Sequence, residues 1–84
     1  MLKQAHRAIN KNIGKRIAQC RQKKGITQVE LAKRVGLSTG WLQQIEYGNS
    51  EPSIAKIIMF AEALNVAPQE LIKTEDFERG DTDA

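Results

Sequence analysis

An all-α domain of five helices is the fold class that the sequence predicts, and three observations support it. Apolar residues recur at three- and four-residue intervals along most of the 84 residues, which is typical of helices with one buried face. Short polar residues suited to N-caps precede these runs, and glycine or asparagine follows them. No segment reads as a β-strand.

Helix 1 is marked by four apolar residues on one stripe, namely Ile9, Ile13, Ile17 and Cys20. We expect it to begin at Asn10 or Asn12, because asparagine is a good N-cap, and to stop at Gly25. Residues 1–9 could either extend this helix or fray.

Helix 2 is predicted from Gln28 to Val35. Thr27 and Glu30 have the spacing of a capping box, in which the hydroxyl accepts from the Glu30 amide and the carboxylate reaches back to the Thr27 amide. The inward residues are Leu31, Ala32 and Val35. Gly36 follows at the position where a left-handed residue would end the helix.

Helix 3 is predicted to begin after the N-cap Ser38 and to run from Thr39 to about Tyr47. Leu42 and Ile45 are its inward pair, and Gly48 ends it.

Helix 4 follows Ser53 and has an apolar stripe of Ile54, Ile57, Phe60, Ala61 and Leu64. Asn65 is its expected end. A fifth helix is predicted over residues 68–73, because Pro68 suits a first helical position.

Two short helices separated by a single glycine cannot form one rod. The turn at Gly36 lets helix 3 cross helix 2 steeply, as in a helix-turn-helix. Ala32 is small because the two helices nearly touch there. The wedge between them is expected to be filled by Leu31, Val35, Leu37, Leu42 and Ile45.

Charge is distributed unevenly along the chain. The net charge is +3, but residues 1–48 carry +8 and residues 49–84 carry −5. A basic half favours a polyanion as partner, although a solvated basic face is the alternative interpretation. The single cysteine, Cys20, excludes an internal disulfide, and the lack of a membrane-length apolar run favours a cytoplasmic protein.

Several short motifs follow one another in an order known from one protein family. They are Ile13-Gly14-Lys15-Arg16-Ile17, Arg21, Gly25-Ile26-Thr27-Gln28, Glu30-Leu31-Ala32, Val35-Gly36-Leu37-Ser38, Ile45-Glu46-Tyr47-Gly48 and Pro52-Ser53. With these motifs, the chain resembles the Cro and lambda-repressor type of helix-turn-helix domain over about residues 12–72. The resemblance implies a five-helix lambda-repressor-like domain that binds double-stranded DNA, with helix 3 in the major groove. Its small size is similar to that of restriction–modification controllers, small phage repressors and antitoxin-type regulators.

The resemblance places Thr39, Gln43 and Gln44 on the outward face of helix 3, where we expect them to read bases. Glutamine can pair with adenine N6 and N7, and threonine can contact a thymine methyl group, each worth ~1–3 kcal/mol of discrimination. Gly40 occupies a position that often reads a base in the family, so one contact is expected to be missing here.

Backbone contacts are expected from a second set of residues. Gln28 matches a glutamine that grips a phosphate in the family, at the start of helix 2. Further candidates for the backbone are Lys11, Arg16, Lys33, Arg34, Asn49 and Ser50. Trp41 either packs half-buried against helix 2 or the N-terminal segment, or lies on a sugar, a phosphate or a thymine methyl group.

Some residues with reactive or charged groups have a structural interpretation. The resemblance implies that Arg21 and Glu46 form an ion pair inside the domain, which ties helix 1 to helix 3. Cys20 is expected to be a small core residue. With a single His6 outside the motif and no second ligand at metal spacing, we expect no metal, no cofactor and no small-molecule ligand.

A homodimer is expected, because family members often dimerise through their C-terminal helices and several apolar residues do not fit the core stripe. The candidate interface residues are Ile58, Met59, Val66, Leu71 and Ile72. Two copies of helix 3 would then enter successive major grooves about 34 Å apart on a palindromic operator.

Three functional classes can be weighed against the sequence: a transcriptional regulator, a protein-binding module and an enzyme. The leading one is a dimeric, sequence-specific transcriptional regulator, which would block or recruit polymerase near a promoter. The alternative is an antitoxin or adaptor-type module that also binds DNA and holds a protein partner through its acidic tail, with Phe77 as an anchor. An enzyme has little support, since the sequence offers no nucleophile–base pair or carboxylate dyad.

The predicted organisation of the chain has three parts. Residues 1–11 form an N-terminal extension, residues 12–73 form the DNA-binding domain, and residues 74–84 form an acidic tail that is expected to be disordered.

Overall fold

Four α-helices and one 3-10 turn make up the fold in the computed structural model, which describes residues 4–73 and Asp76. The helices are α1 (Gln4–Lys23), α2 (Gln28–Val35), α3 (Thr39–Glu46) and α4 (Ile54–Leu64), and the turn spans Pro68–Glu70. The all-α class is confirmed, with the helix-turn-helix at α2 and α3. No helix in this part of the chain is long and apolar enough to cross a membrane.

The prediction of a fifth helix over residues 68–73 is wrong for the described chain. Pro68 does start a helical turn, but Ala67 supplies no side-chain cap, and the segment closes after three residues. The backbone then continues through Leu71, whose side chain is fully buried. Burial of Leu71 holds this segment to the domain without a full helix.

Helix α1 starts earlier than predicted. It begins at Gln4, and Asn10 lies inside it with only 4% of its surface exposed, so Asn10 is not a cap. Residues 4–9 are helical because glutamine, alanine and arginine are good helix formers. The helix ends at Lys23, and Gly25 follows with a φ of 68°. The helix therefore runs across the predicted boundary between extension and domain.

The turn between α2 and α3 has the geometry expected from its residues. Thr27 Oγ1 accepts from the Glu30 amide at 3.1 Å, and Ser38 Oγ accepts from the Trp41 amide at 3.1 Å. Gly36 ends α2 with φ 75° and ψ 34°, a left-handed conformation that costs glycine little. Only the hydroxyl half of the predicted capping box forms, because the Glu30 carboxylate lies 3.4 Å from the Arg34 guanidinium and does not bond to the Thr27 amide.

All four helices contribute to one hydrophobic core. The largest fully buried side chains are Phe60, Ile17, Leu31, Leu42, Ile45, Leu64, Leu71 and Val35. Gly14 lets the backbones of α1 and α3 meet, because an added Cβ would lie 2.1 Å from the Ile45 carbonyl oxygen. The position of α3 on the core is therefore determined at its backbone as well as by its side chains.

A second attachment, which we call the C-terminal latch, joins Asp76 to α1. The Asp76 carboxylate accepts from both terminal nitrogens of Arg16, at 2.5 and 3.0 Å, and from Asn12 at 3.2 Å. It also accepts from the Lys73 amide at 3.1 Å, and only 3% of Asp76 is exposed. Asp76 was predicted to lie in a disordered tail, but it belongs to the folded domain. The rest of the predicted tail, including Phe77, lies outside the described residues.

Candidate nucleic-acid interface

The outward face of α3 is determined by the residues that it buries. Leu42, Ile45 and Glu46 face the core, so the opposite side of the helix faces solvent. The residues on this outer side are Gly40, Trp41, Gln43, Gln44 and Tyr47. They form one continuous polar and aromatic surface on a short helix whose other side is fully packed.

The three predicted base-reading residues differ in their surroundings. Gln44 is exposed, whereas Thr39 and Gln43 are partly buried. Gln43 Nε2 donates to Gln28 Oε1 at 3.3 Å, so its side chain is oriented by a residue of α2. Gly40 is exposed and has no atom near the place where a Cβ would lie. At this position the backbone of α3 is therefore directly accessible.

A hydrogen-bond network links the core to this surface, and we call it the Arg21 network. Arg21 holds Glu46 in a bidentate ion pair, with Nε–Oε2 at 2.8 Å and Nη2–Oε1 at 3.2 Å, and donates to the Ile26 carbonyl at 3.0 Å. Gln28 Nε2 donates to Glu46 Oε1 at 2.9 Å. The network thus runs from α1 through α3 to the start of α2.

The Arg21 network fixes the direction of the Gln28 amide. An amide nitrogen carries two N–H groups, and one of them is used by Glu46. The second makes no bond within the described chain. The phosphate contact that the resemblance implies for Gln28 stays a prediction.

The structure contradicts the prediction that Arg16 contacts a DNA backbone. Its guanidinium is bound to Asp76 and to the Leu71 carbonyl oxygen at 3.3 Å, within the C-terminal latch. Burial by itself raises the pKa of Asp76, but hydrogen bonds from Arg16 and the Lys73 amide, the charge of Arg16, and Asn12 together lower the pKa below its usual value. A carboxylate that stays ionised keeps Arg16 engaged inside the domain.

The other predicted backbone contacts are distributed around α3. Lys33 and Asn49 are exposed and Ser50 is partly buried. Asn49 follows α3 directly and its amide donates to the Gln44 carbonyl at 2.9 Å. Arg34 is held by the Ala63 carbonyl at 3.1 Å and so turns toward α4. Lys33 on α2 and Asn49 after α3 therefore remain exposed, as does Lys11 on α1.

Two aromatic side chains flank this surface. Trp41 is 49% exposed, so about half of the indole is available to a ligand and half is covered by the protein. Tyr47 is 62% exposed and lies three residues after Gln44 on the same stripe. The sequence analysis assigned no role to Tyr47. Its spacing from Gln44 was the signal that could have identified it.

The predicted dimer residues do not all lie on the surface. Ile58 and Met59 are 44% and 37% exposed, and Val66 and Ile72 are partly buried against the core. Leu71 has no exposed surface, so its assignment to a dimer interface is wrong. Ile54 is 75% exposed and lies one turn before Ile58. The apolar surface on α4 therefore centres on Ile54, Ile58 and Met59.

The described side chains do not form a metal site. Among the described residues, no three His, Cys, Asp or Glu side chains lie close enough together to hold a metal ion. Cys20 is partly buried against the hydrophobic core, next to Ile17.

Comparison with known proteins matches this geometry to one family. Residues 17–71 match the family HTH_3, described as helix-turn-helix. The chain is 44% identical over 62 residues to YazB of Bacillus subtilis, covering 74% of this chain and 90% of that protein. It is 34% identical over 68 residues to y4dJ of Sinorhizobium fredii, covering 81% of this chain and 88% of the relative. Both are named HTH-type transcriptional regulators.

A solved structure shows the same fold. The restriction-modification controller protein C.AhdI from Aeromonas hydrophila superposes with a TM-score of 0.75 at 33% sequence identity, over 80% of this chain and 97% of that protein.

Proposed function

This chain belongs to the HTH_3 helix-turn-helix family, and from that premise we propose that it is a sequence-specific transcriptional regulator that binds double-stranded DNA through α3. The names of its relatives, which are HTH-type transcriptional regulators, support this function.

The packing of α3 supports a more specific proposal than family membership alone does. The inward side of α3 is held by Leu42, Ile45 and the Glu46 ion pair, while Gln44 and Tyr47 project into solvent. Because α3 is rigidly held, its exposed polar side chains can enter a major groove with little loss of backbone conformational freedom. We propose that Thr39, Gln43 and Gln44 read bases, and that Gly40 lets the helix approach the groove floor closely.

Phosphate contacts would then set the register of α3. Gln28 is oriented by Glu46 and supports a contact from the start of α2, while Lys33, Asn49, Ser50 and the Trp41 indole N–H supply further donors. Contacts of this kind supply affinity and salt dependence but no sequence preference. Base-reading residues should therefore change sequence preference, whereas phosphate-contacting residues should change overall affinity and its salt dependence.

We further propose a symmetric dimer on a palindromic operator. Ile54, Ile58 and Met59 form an exposed apolar surface on α4, and Ile72 lies beside it. A neighbouring groove of about 300 Å³ runs between α1 and the start of α4. It is lined by His6, Ile9, Asn10, Ile13, Glu51, Pro52, Ile54, Ile57 and Ile72. On such a palindromic operator the two α3 helices would lie about one DNA turn, ~34 Å, apart.

The test begins with selection of bound sequences from a random duplex pool, which reports the half-site and the half-site spacing. Gln44→Ala should then relax preference at one base pair per half-site, by about 1–3 kcal/mol of discrimination. Lys33→Ala, at an exposed residue of α2 that is proposed to contact the DNA backbone, is the matched control, and it should weaken all duplexes alike. Equal affinity of the unchanged protein for selected and random duplexes would contradict the proposal.

A further inference from the structure

The N-terminal half of α1 carries a basic surface, of which the sequence predicted Lys11 but not Arg7 as a backbone contact. Arg7 and Lys11 are both exposed and lie four residues apart, which places them on one helix face with Cβ atoms about 6 Å apart. Within the described chain, the ion pairs involve other residues, so neither side chain is neutralised by a carboxylate there.

Lys11 lies against the C-terminal end of α3. A Cβ added to Gly48 would fall 2.6 Å from Lys11 Cγ and 2.7 Å from Lys11 Cα. One turn further along α1, Gly14 meets α3 as closely at the Ile45 carbonyl. Lys11 and Gly14 therefore mark the stripe of α1 that faces α3.

Arg7 continues this stripe beyond the end of α3. It precedes Lys11 by about one helical turn, or ~5.4 Å along the axis of α1. Since α3 ends at Glu46 and the chain turns at Gly48, Arg7 extends past the last turn of α3. On this side the chain leaves α3 through Asn49 and Ser50, the two residues already proposed to contact the DNA backbone.

The charge around these residues favours an anionic partner. No acidic residue precedes Glu30 in the sequence. Glu51 does approach α1, but it lines the groove with His6, Ile9 and Asn10, on a different helix face from Arg7 and Lys11. The carboxylates of Asp76 and Glu46 also contact α1, but each is paired with an arginine, Arg16 or Arg21. The stripe that continues toward α3 therefore keeps a positive charge.

We infer that Arg7 and Lys11 form a second phosphate-binding surface, which extends the DNA contact from α3 onto the flanking backbone. This inference rests on the proposed function, because DNA seated on α3 is what brings phosphates to the end of that helix. Arginine can hold one phosphate with two parallel N–H groups, and lysine adds a mobile point charge. Such contacts are made to any base sequence.

The experiment uses the full chain and measures duplex affinity at several salt concentrations, on the selected operator and on a random duplex. The variants are Arg7→Gln, Lys11→Gln and the double variant. Each lost contact should reduce the slope of log affinity against log salt by about 0.9, so the double variant should lose about 1.8. Both duplexes should be affected alike, so the ratio of specific to random affinity stays constant.

The matched control is Lys24→Gln, which removes the same charge from an exposed residue just beyond the other end of α1. It should leave the slope unchanged, whereas Arg7→Lys should largely preserve the slope of the unchanged protein. Thermal unfolding followed by circular dichroism verifies that each variant is folded. Slopes for Arg7→Gln and Lys11→Gln equal to that of Lys24→Gln would overturn the inference and leave the proposed function standing.

Failure of the proposed function can be distinguished from failure of this inference. If the unchanged protein bound every duplex equally, and the two variants still lowered the salt slope, the phosphate surface would be supported while sequence-specific regulation would be contradicted. Ethylation interference on the operator gives an independent readout. Loss of interference at phosphates outside the α3 contact in the double variant supports the surface, and an unchanged pattern contradicts it.

Discussion

Two arginines on α1 hold two carboxylates in similar ways but serve different parts of the molecule. Arg21 binds Glu46 of α3 and, through it, Gln28 and Gln43. Arg16 binds Asp76 near the end of the described chain. Both pairs are bidentate and largely shielded from solvent. The comparison teaches that the location of the carboxylate, and not the chemistry of the pair, decides whether an arginine supports the candidate interface or the C-terminal segment.

Breaking the Arg21 network should lower the free energy of unfolding more than breaking the C-terminal latch does. Glu46→Ala leaves the Arg21 side chain, which is only 12% exposed, without its carboxylate partner, and we expect a loss of about 3–5 kcal/mol in the free energy of unfolding. Urea denaturation measures this loss. Glu30→Ala is the matched control, because its pair with Arg34 is about half exposed and should cost less than about 1 kcal/mol. Equal losses in the two variants would show that the network does not couple α1 to α3.

The C-terminal latch should have a smaller effect. Asp76→Asn removes the charge but keeps an acceptor oxygen, and Arg16 retains the Leu71 carbonyl, so we expect a loss of about 2 kcal/mol. Urea denaturation again measures it, with the exposed Glu62→Gln as a charge-matched control. Base preference on duplex DNA should be unchanged, since the latch does not bond to α3. A shifted preference in Asp76→Asn would show that the two regions are coupled.

The smallest expected effect is the pH dependence of the latch. Because the pKa of Asp76 is lowered in the folded protein, its contribution is fully present above the ordinary value of 3.8 and is lost as the pH falls through the folded pKa. The difference in unfolding free energy between the unchanged protein and Asp76→Asn should therefore be constant from pH 7 to pH 5. It should shrink below pH 4. A difference that persists undiminished at pH 2 would contradict an ionised Asp76.

Local sequence signals predicted most of the helix-turn-helix. Thr27, Ser38 and Gly36 act on backbone groups within a few residues, so their roles follow from spacing alone. The resemblance implied the pair of Arg21 and Glu46, which the structure places at hydrogen-bonding distance.

Contacts between residues that are far apart in the sequence could not be predicted in the same way. Arg16 and Asp76 are 60 residues apart, and nothing in either local sequence distinguishes a latch arginine from one that contacts phosphate. From the sequence, Leu71 could equally belong to an exposed apolar surface or to the core. Only its packing against the domain shows that it is buried. The early start of α1 was missed because Asn10 has the chemistry of a cap but lies inside the helix.

By itself, the sequence determined the all-α class, the break at Gly36 and the polar side of α3, because hydrophobic period, caps and glycine act over one or two helical turns. The tertiary structure decided which charged groups are available to a partner. In the folded protein Arg16 is bound within the C-terminal latch, whereas Arg7 and Lys11 are exposed near the end of α3. The physical reason is that the availability of a charge depends on which distant carboxylate the fold brings to it, and that information is not local.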